Sequence, residues 1–151
     1  MISTDFLKKA VDGKKVLIDT NIIIYLTDSI QPYATIAQTL FEIIESGDAQ
    51  AVISILTIGE VLQGPIRNND YALASEVRDY LVNFPNSHYQ EITYDVLACV
   101  GNDERIEWNR LRTMDSLIIA SGLVNQADLI ISNDKHFKSA LHKDILITLD
   151  Q

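Results

Sequence analysis

Asp19, Glu60, Asp115 and Asp134 stand where a carboxylate could do chemistry. Asp19 ends the apolar run Val16-Leu17-Ile18, and Asp134 follows the run Leu129-Ile130-Ile131 by three residues. A short apolar run that stops at a carboxylate is how a buried parallel strand delivers an acid to the edge of a sheet. In open α/β sheets the working crevice lies outside the carboxyl ends of the strands. Glu60 and Asp115 open helix-patterned segments, which puts them at the same edge. Each acid also has a plainer explanation. Asp19-Thr20-Asn21 suits a strand-to-helix turn or cap, Thr57-x-x-Glu60 reads as a capping box, and Asp115 is favoured at a helix start by the helix dipole. Taken singly, these readings stay open; it is the coincidence of all four at one edge that argues for a site.

Four carboxylates crowded at one edge would repel one another and raise each other's pKa values unless a cation lay among them, so the arrangement implies a divalent metal. All-oxygen donors select hard ions, which favours Mg²⁺ or Mn²⁺. Zinc lacks suitable donors, because His88, His136 and His142 are scattered and Cys99 is the only cysteine.

The elements that must position these acids are legible from hydrophobic patterning. Val16–Ile18, Ala51–Ile53, Leu129–Ile131 and Ile145–Leu149 are continuous rather than alternating, as expected of strands covered on both faces, and Tyr89–Ile92 could add another. Between them, Ala37, Leu40, Phe41 and Ile44 share one helical face, as do Leu73, Val77, Tyr80, Leu81 and Phe84. Ser116–Val124 is apolar on most sides, which predicts a central helix against the sheet, and Ser3–Val11 could form an additional amphipathic helix. With no repeat, low-complexity tract or linker, residues 1–151 are expected to form one three-layer α/β/α domain around a mainly parallel sheet of four to five strands, with 1–14 as an N-terminal addition. The length suits one substantial core.

Composition bounds the partners. Cys99 excludes an internal disulfide and is expected to pack as a small hydrophobe in Val96–Val100, which fits a reducing, cytoplasmic compartment. No apolar run approaches the roughly 18 residues of a membrane span, and Met1–Lys9 lacks the order of a secretory signal. The formal net charge of −9 counts against nucleic acid as a partner. That objection weakens when charge is mapped rather than summed. Arg105, Arg110 and Arg112 precede Asp115, while Lys135 and Lys138 follow Asp134, so cations could flank an acidic pocket. An ordinary solvated face explains the same residues equally well.

The chain resembles PIN-domain ribonucleases, most closely the VapC-type toxins of bacterial toxin–antitoxin pairs, from about Lys15 to Leu149. Four motifs in order carry the resemblance: Leu17-Ile18-Asp19-Thr20-Asn21, Ser54-x-x-Thr57-x-x-Glu60, Arg112-Thr113-Met114-Asp115-Ser116-Leu117-Ile118-Ile119-Ala120 and Ser132-Asn133-Asp134-Lys135-His136-Phe137. The resemblance implies that Asp19, Glu60 and Asp115 bind metal and that Asp134 is a fourth, more variable acid. Many relatives carry an acid directly before the last Phe, where this chain has His136. Thr20, Asn21, Thr57, Ser132 and Asn133 would orient the carboxylates or hold water, and Arg110, Arg112 and Lys135 would meet substrate.

The resemblance further implies Mg²⁺- or Mn²⁺-dependent hydrolysis of RNA, leaving a 5′-phosphate and a 3′-hydroxyl, with a structured tRNA or rRNA loop as substrate. It also implies a cognate antitoxin and a homodimer formed around Ile58–Gln63 and Tyr71–Phe84. Alternatives are a free-standing PIN nuclease acting on other structured nucleic acid, and a non-catalytic PIN-like or receiver-like binding module. A receiver would need an acidic pair near its first strand, where this chain has the single Asp19.

Overall fold

Five short strands form one parallel sheet in the structure, a computed structural model that describes residues 1–151. They are β1 Lys15–Ile18, β2 Gln50–Ser54, β3 Ser87–Gln90, β4 Leu129–Ile131 and β5 Leu146–Ile147. Their spatial order is β3-β2-β1-β4-β5, with every neighbouring pair parallel. The chain therefore builds outward from β1 through β2 to β3, then returns to lay β4 on the other side of β1. Strand order reverses between β1 and β4, and a ligand crevice is expected outside their carboxyl ends. Asp19 follows β1 directly, and Ser132-Asn133-Asp134 follow β4.

Eight helices surround the sheet: α1 Thr4–Val11, α2 Thr20–Thr27, α3 Tyr33–Glu45, α4 Ile55–Arg67, α5 Tyr71–Val82, α6 Tyr94–Cys99, α7 Thr113–Val124 and α8 Lys135–Ala140. Alternate strand residues feed opposite layers. Val16, Ile18, Ile53 and Ile131 enter a core completed by α1 to α5, while Leu17, Val52, Ile130 and Leu146 enter one completed by α7 and α8. This is the three-layer α/β/α arrangement expected from the apolar runs. A one-residue slip would exchange these two sets between the layers, so the register of Leu17 with Ile130 and Val52 is pinned by packing on both faces.

Helix α7 is apolar nearly all round because it lies against the sheet centre. Gly122 allows that approach, since a Cβ there would meet the Leu17 Cβ at 3.0 Å. Asp115 lies about two turns upstream of this contact and is carried to the carboxyl edge by the same helix. Helix α1 buries Leu7 and Val11 in the first core, and the Ile2 amide donates to the Leu149 carbonyl at 2.9 Å, which ties the two ends of the chain together.

Several local expectations are corrected. Thr57 and Glu60 do not form a capping box. Ser54 caps α4 through a bond from the Leu56 amide (3.2 Å), so the helix starts earlier and both residues lie inside it. Ser87–Gln90 replaces Tyr89–Ile92 as a strand, and the last run pairs only over Leu146–Ile147. In α5 the core face is Ala74 and Leu81, followed by Phe84 beyond the helix, while Leu73 and Tyr80 are exposed. Cys99 is only half-buried at the end of α6.

Candidate metal centre

Asp19 is the most constrained of the acids, at 4% exposure. As the N-cap of α2 it accepts from the Thr20 amide at Oδ1 (2.7 Å). Its Oδ2 accepts from the Asn21 amide group (2.9 Å) and the Ser132 hydroxyl (2.6 Å). The cap and the candidate ligand are thus one residue, as the turn-forming tripeptide left open. Ser132 also accepts from the Asp134 amide (3.0 Å), and Asn21 Oδ1 accepts from the Asn133 amide (2.9 Å), so the loops after β1 and β4 are knotted together behind Asp19. Burial pushes the Asp19 pKa up to about 6. The Ser132 and Thr20 hydrogen bonds oppose that rise, and the charges of Asp134 and Glu60 add to it. The lone acid at the strand end therefore carries a charge that its surroundings only partly compensate.

The other acids arrive from separate elements. Asp115, also 4% exposed, is the third residue of α7 and reaches back to the Arg112 amide at 3.2 Å. Glu60, on the second turn of α4, is exposed and accepts the Thr20 hydroxyl at Oε1 (2.8 Å), while buried Thr57 lies 3.4 Å from that hydroxyl. Asp134 caps α8, accepting at Oδ1 from the His136 amide (2.7 Å), with the His136 Nδ1 at 3.1 Å from the same oxygen. The four acids line one cleft of about 200 Å³ with Thr20, Asn21, Ile24, Arg112 and Ile118.

The cleft already contains a cation. The Arg112 guanidinium forks onto Asp115, with Nε 2.9 Å from Oδ2 and Nη2 3.1 Å from Oδ1, and Nη2 lies 3.8 Å from Asp134 Oδ2. The hydrogen bond to Asp115, the charge of Asp115 and the charges of Asp134 and Glu60 all hold Arg112 more firmly in its charged form. The acids are not drawn tightly around a single point, for no three His, Cys, Asp or Glu residues have the geometry to hold a metal ion as they stand. The donor set nevertheless suits a hard cation, because the candidate donors are all carboxylate oxygens and two of the acids are buried.

The remaining candidate residues divide. Asn133 turns away from the cleft, donating to Tyr25 (3.2 Å) and accepting from the Leu149 amide (2.7 Å), so its side chain braces the framework. Arg110 pairs with Glu107 at 2.6 Å and lies within 3.3 Å of the Ser139 carbonyl and hydroxyl, outside the cleft. Lys135 is exposed at the start of α8. The sequence reading missed the contact of Arg112 with Asp115, although their spacing of three across a helix start could have signalled it. It also missed a neighbouring shelf of about 330 Å³ formed by Ile55, Leu56, Gly59, Glu60 and Gln63 on one face of α4 and by Met114 of α7, because helical spacing groups the first five but does not say which residue of another helix lies beside them.

Comparison with known proteins gives a consistent fold. The sequence matches the family described as PIN domain over residues 16–150. No curated protein matches it. Among solved structures, it is similar to VapBC2 from Rickettsia felis bound to a DNA fragment from its promoter, with a TM-score of 0.66, 17% identity, and coverage of 90% of this chain and 99% of that one. A toxin–antitoxin complex from Klebsiella pneumoniae gives a TM-score of 0.59 at 22% identity, covering 88% and 96% of the two chains. VapC20 from Mycobacterium tuberculosis, described as a sarcin–ricin loop cleaving toxin, gives 0.59 at 15% identity, covering 82% and 93%.

Proposed function

This chain belongs to the PIN-domain family, and from that premise we propose that it is a Mg²⁺- or Mn²⁺-dependent endoribonuclease, the toxin of a toxin–antitoxin pair, with Asp19, Glu60, Asp115 and Asp134 as its metal-binding acids. The observation that carries the proposal is the convergence of four carboxylates from four separate segments on one cleft at the strand-order reversal, with a cation among them. Caps alone would explain Asp19 and Asp134 one at a time. They would not explain why Glu60, which caps nothing, faces the same cleft.

When bound, a divalent ion supplies water activation and neutralises charge on the phosphate. The chain's own residues do the rest. Thr20, Asn21 and Ser132 hold Asp19 in one orientation, so a buried ligand is ready without rearrangement. Glu60 has one oxygen on Thr20 and no protein partner on the other, which leaves Oε2 able to accept a proton from an attacking water. Attack at phosphorus would break the bond to the 3′-oxygen, which takes up a proton from solvent, giving a 5′-phosphate and a 3′-hydroxyl. The Ile55–Met114 shelf beside Glu60 offers an apolar seat for a base turned out of its stack, which favours a single-stranded or looped RNA.

The complexes from Rickettsia felis and Klebsiella pneumoniae support a cognate antitoxin for this chain as well. Ile66, Tyr71, Leu73 and Tyr80 are exposed on α4 and α5 and support a protein-facing surface there, for a second copy or for that partner. Ile58 and Val61 are buried in the chain's own core, so of Ile58–Gln63 the exposed Gly59, Glu60 and Gln63 and the half-buried Leu62 would contribute to such an interface.

Incubation of the purified protein with structured RNA and Mg²⁺ or Mn²⁺ tests the reading. Cleavage is expected, with its loss in EDTA and in Asp19→Asn and Asp115→Asn. Undiminished cleavage by both variants would overturn the site, and absence of cleavage in wild type alongside metal-independent RNA binding would favour the non-catalytic alternative.

A further inference from the structure

Asp115 has no carboxylate oxygen free of Arg112. Oδ2 accepts from both the Arg112 amide and Nε, and Oδ1 accepts from Nη2. The side chain of Asp115 is 6% exposed whereas that of Arg112 is 63% exposed, so the acid is fixed and the guanidinium is the partner able to leave. The same guanidinium lies toward Asp134, and Arg112 lines the cleft with Asp19 and Glu60. A planar fork matches a carboxylate with two bonds, an arrangement that a divalent ion binding Asp115 would have to break.

We propose that Arg112 is an internal counter-ion of the acid cluster, occupying Asp115 in the metal-free protein and leaving it when a divalent cation binds. This inference rests on the metal-site reading of the four acids. The displacement should be inexpensive, because an ion pair with so exposed a partner is weakly held. The displaced guanidinium stays tethered at the cleft mouth, where its donors can turn to another anion.

Calorimetric titration of Mn²⁺ into wild type, Arg112→Ala and Arg112→Lys tests the proposal without reference to cleavage. Arg112→Ala is expected to bind Mn²⁺ about threefold to fivefold more tightly than wild type, the gain that loss of an exposed competing ion pair permits. Arg112→Lys keeps the charge and loses the fork, and should fall between them. If Arg112→Ala binds no more tightly than wild type, the counter-ion role is overturned while the metal site stands. If wild type binds no Mn²⁺ at all, the metal-site reading fails and takes this inference with it. A measurement on the unaltered protein guards against a folding defect: the Arg112 Nε–H resonance should show slow solvent exchange in EDTA and fast exchange at saturating Mg²⁺. Retained protection at saturation would contradict displacement.

Discussion

The cleft has a wall and a rim built on different terms. At the wall, after β1 and β4, Asp19 is buried and held by the Thr20 amide, Asn21 and Ser132, the last two of which also accept from the amides of Asn133 and Asp134. At the rim, Glu60 is exposed with a single hydroxyl contact, and Asp115 is held by an arginine that is itself mostly in solvent. The wall is fixed by three donors on one carboxylate. The rim can exchange partners at little cost. A site that must receive both a cation and a polyanion needs both kinds of group: a preorganised acid to define the position, and movable ones to admit what comes.

The largest expected effect tests the wall. Asp19→Asn should lower metal-dependent RNA cleavage by about 10³-fold, the scale of losing a principal electrostatic group. It should not lower the melting temperature in EDTA, because the substitution removes a buried charge whose surroundings only partly compensate it. A large loss of stability would mean that Asp19 is mainly a structural cap. Next, Ser132→Ala leaves Asp19 without its shortest hydrogen bond and the Asp134 amide without its acceptor. Metal affinity, read by calorimetry, should fall about 10- to 100-fold, and stability by about 1–3 kcal/mol.

Of the two acids at the wall, Asp134 should matter less. Asp134→Asn should cost about tenfold in cleavage, because one of its oxygens already serves the α8 cap and His136. A loss as deep as that of Asp19→Asn would mean that Asp134 is as essential as the buried acid.

A pH series in metal-free buffer probes the burial of Asp19 without any substitution. Because the folded pKa of Asp19 is raised to about 6, its contribution to stability is fully present below the ordinary value of 3.8 and is lost as pH rises through about 6. The loss should approach about 3 kcal/mol in denaturant melts. Asp19→Asn should flatten that slope, and an equal slope in both proteins would show that burial at the wall does not set the titration.

The same contrast explains what could be read from the sequence. Strands β1, β2 and β4 were legible because burial on both faces demands uninterrupted apolar runs, and the acids at their ends followed from the direction of a parallel sheet. Strand β3 was misplaced because Ser87-His88-Tyr89-Gln90 lies at the sheet edge and needs no such run. The start of α4 was misread because Ser54 and Thr57 are equally good caps by type. The parallel ladder carries Ser54 as the last residue of β2, and that decides between them. Exposure of Leu73 and Tyr80 was hidden because two faces of α5 carry apolar side chains, and periodicity does not say which one the core takes. At the site, the wall acids were visible as strand-end carboxylates. Arg112 was recognised as a nearby cation, but its place on Asp115 depends on how α7 enters against the sheet at Gly122.

Whether these four acids form one hard-cation site is decided by anomalous diffraction at the manganese edge from crystals of the wild-type protein grown with Mn²⁺. A peak is expected in the cleft, bound by carboxylate oxygens of Asp19 and Asp115 with Glu60 or Asp134 completing the set, and Arg112 turned away. A Mn²⁺-saturated protein whose cleft shows no peak, with Arg112 still forked onto Asp115, would contradict it.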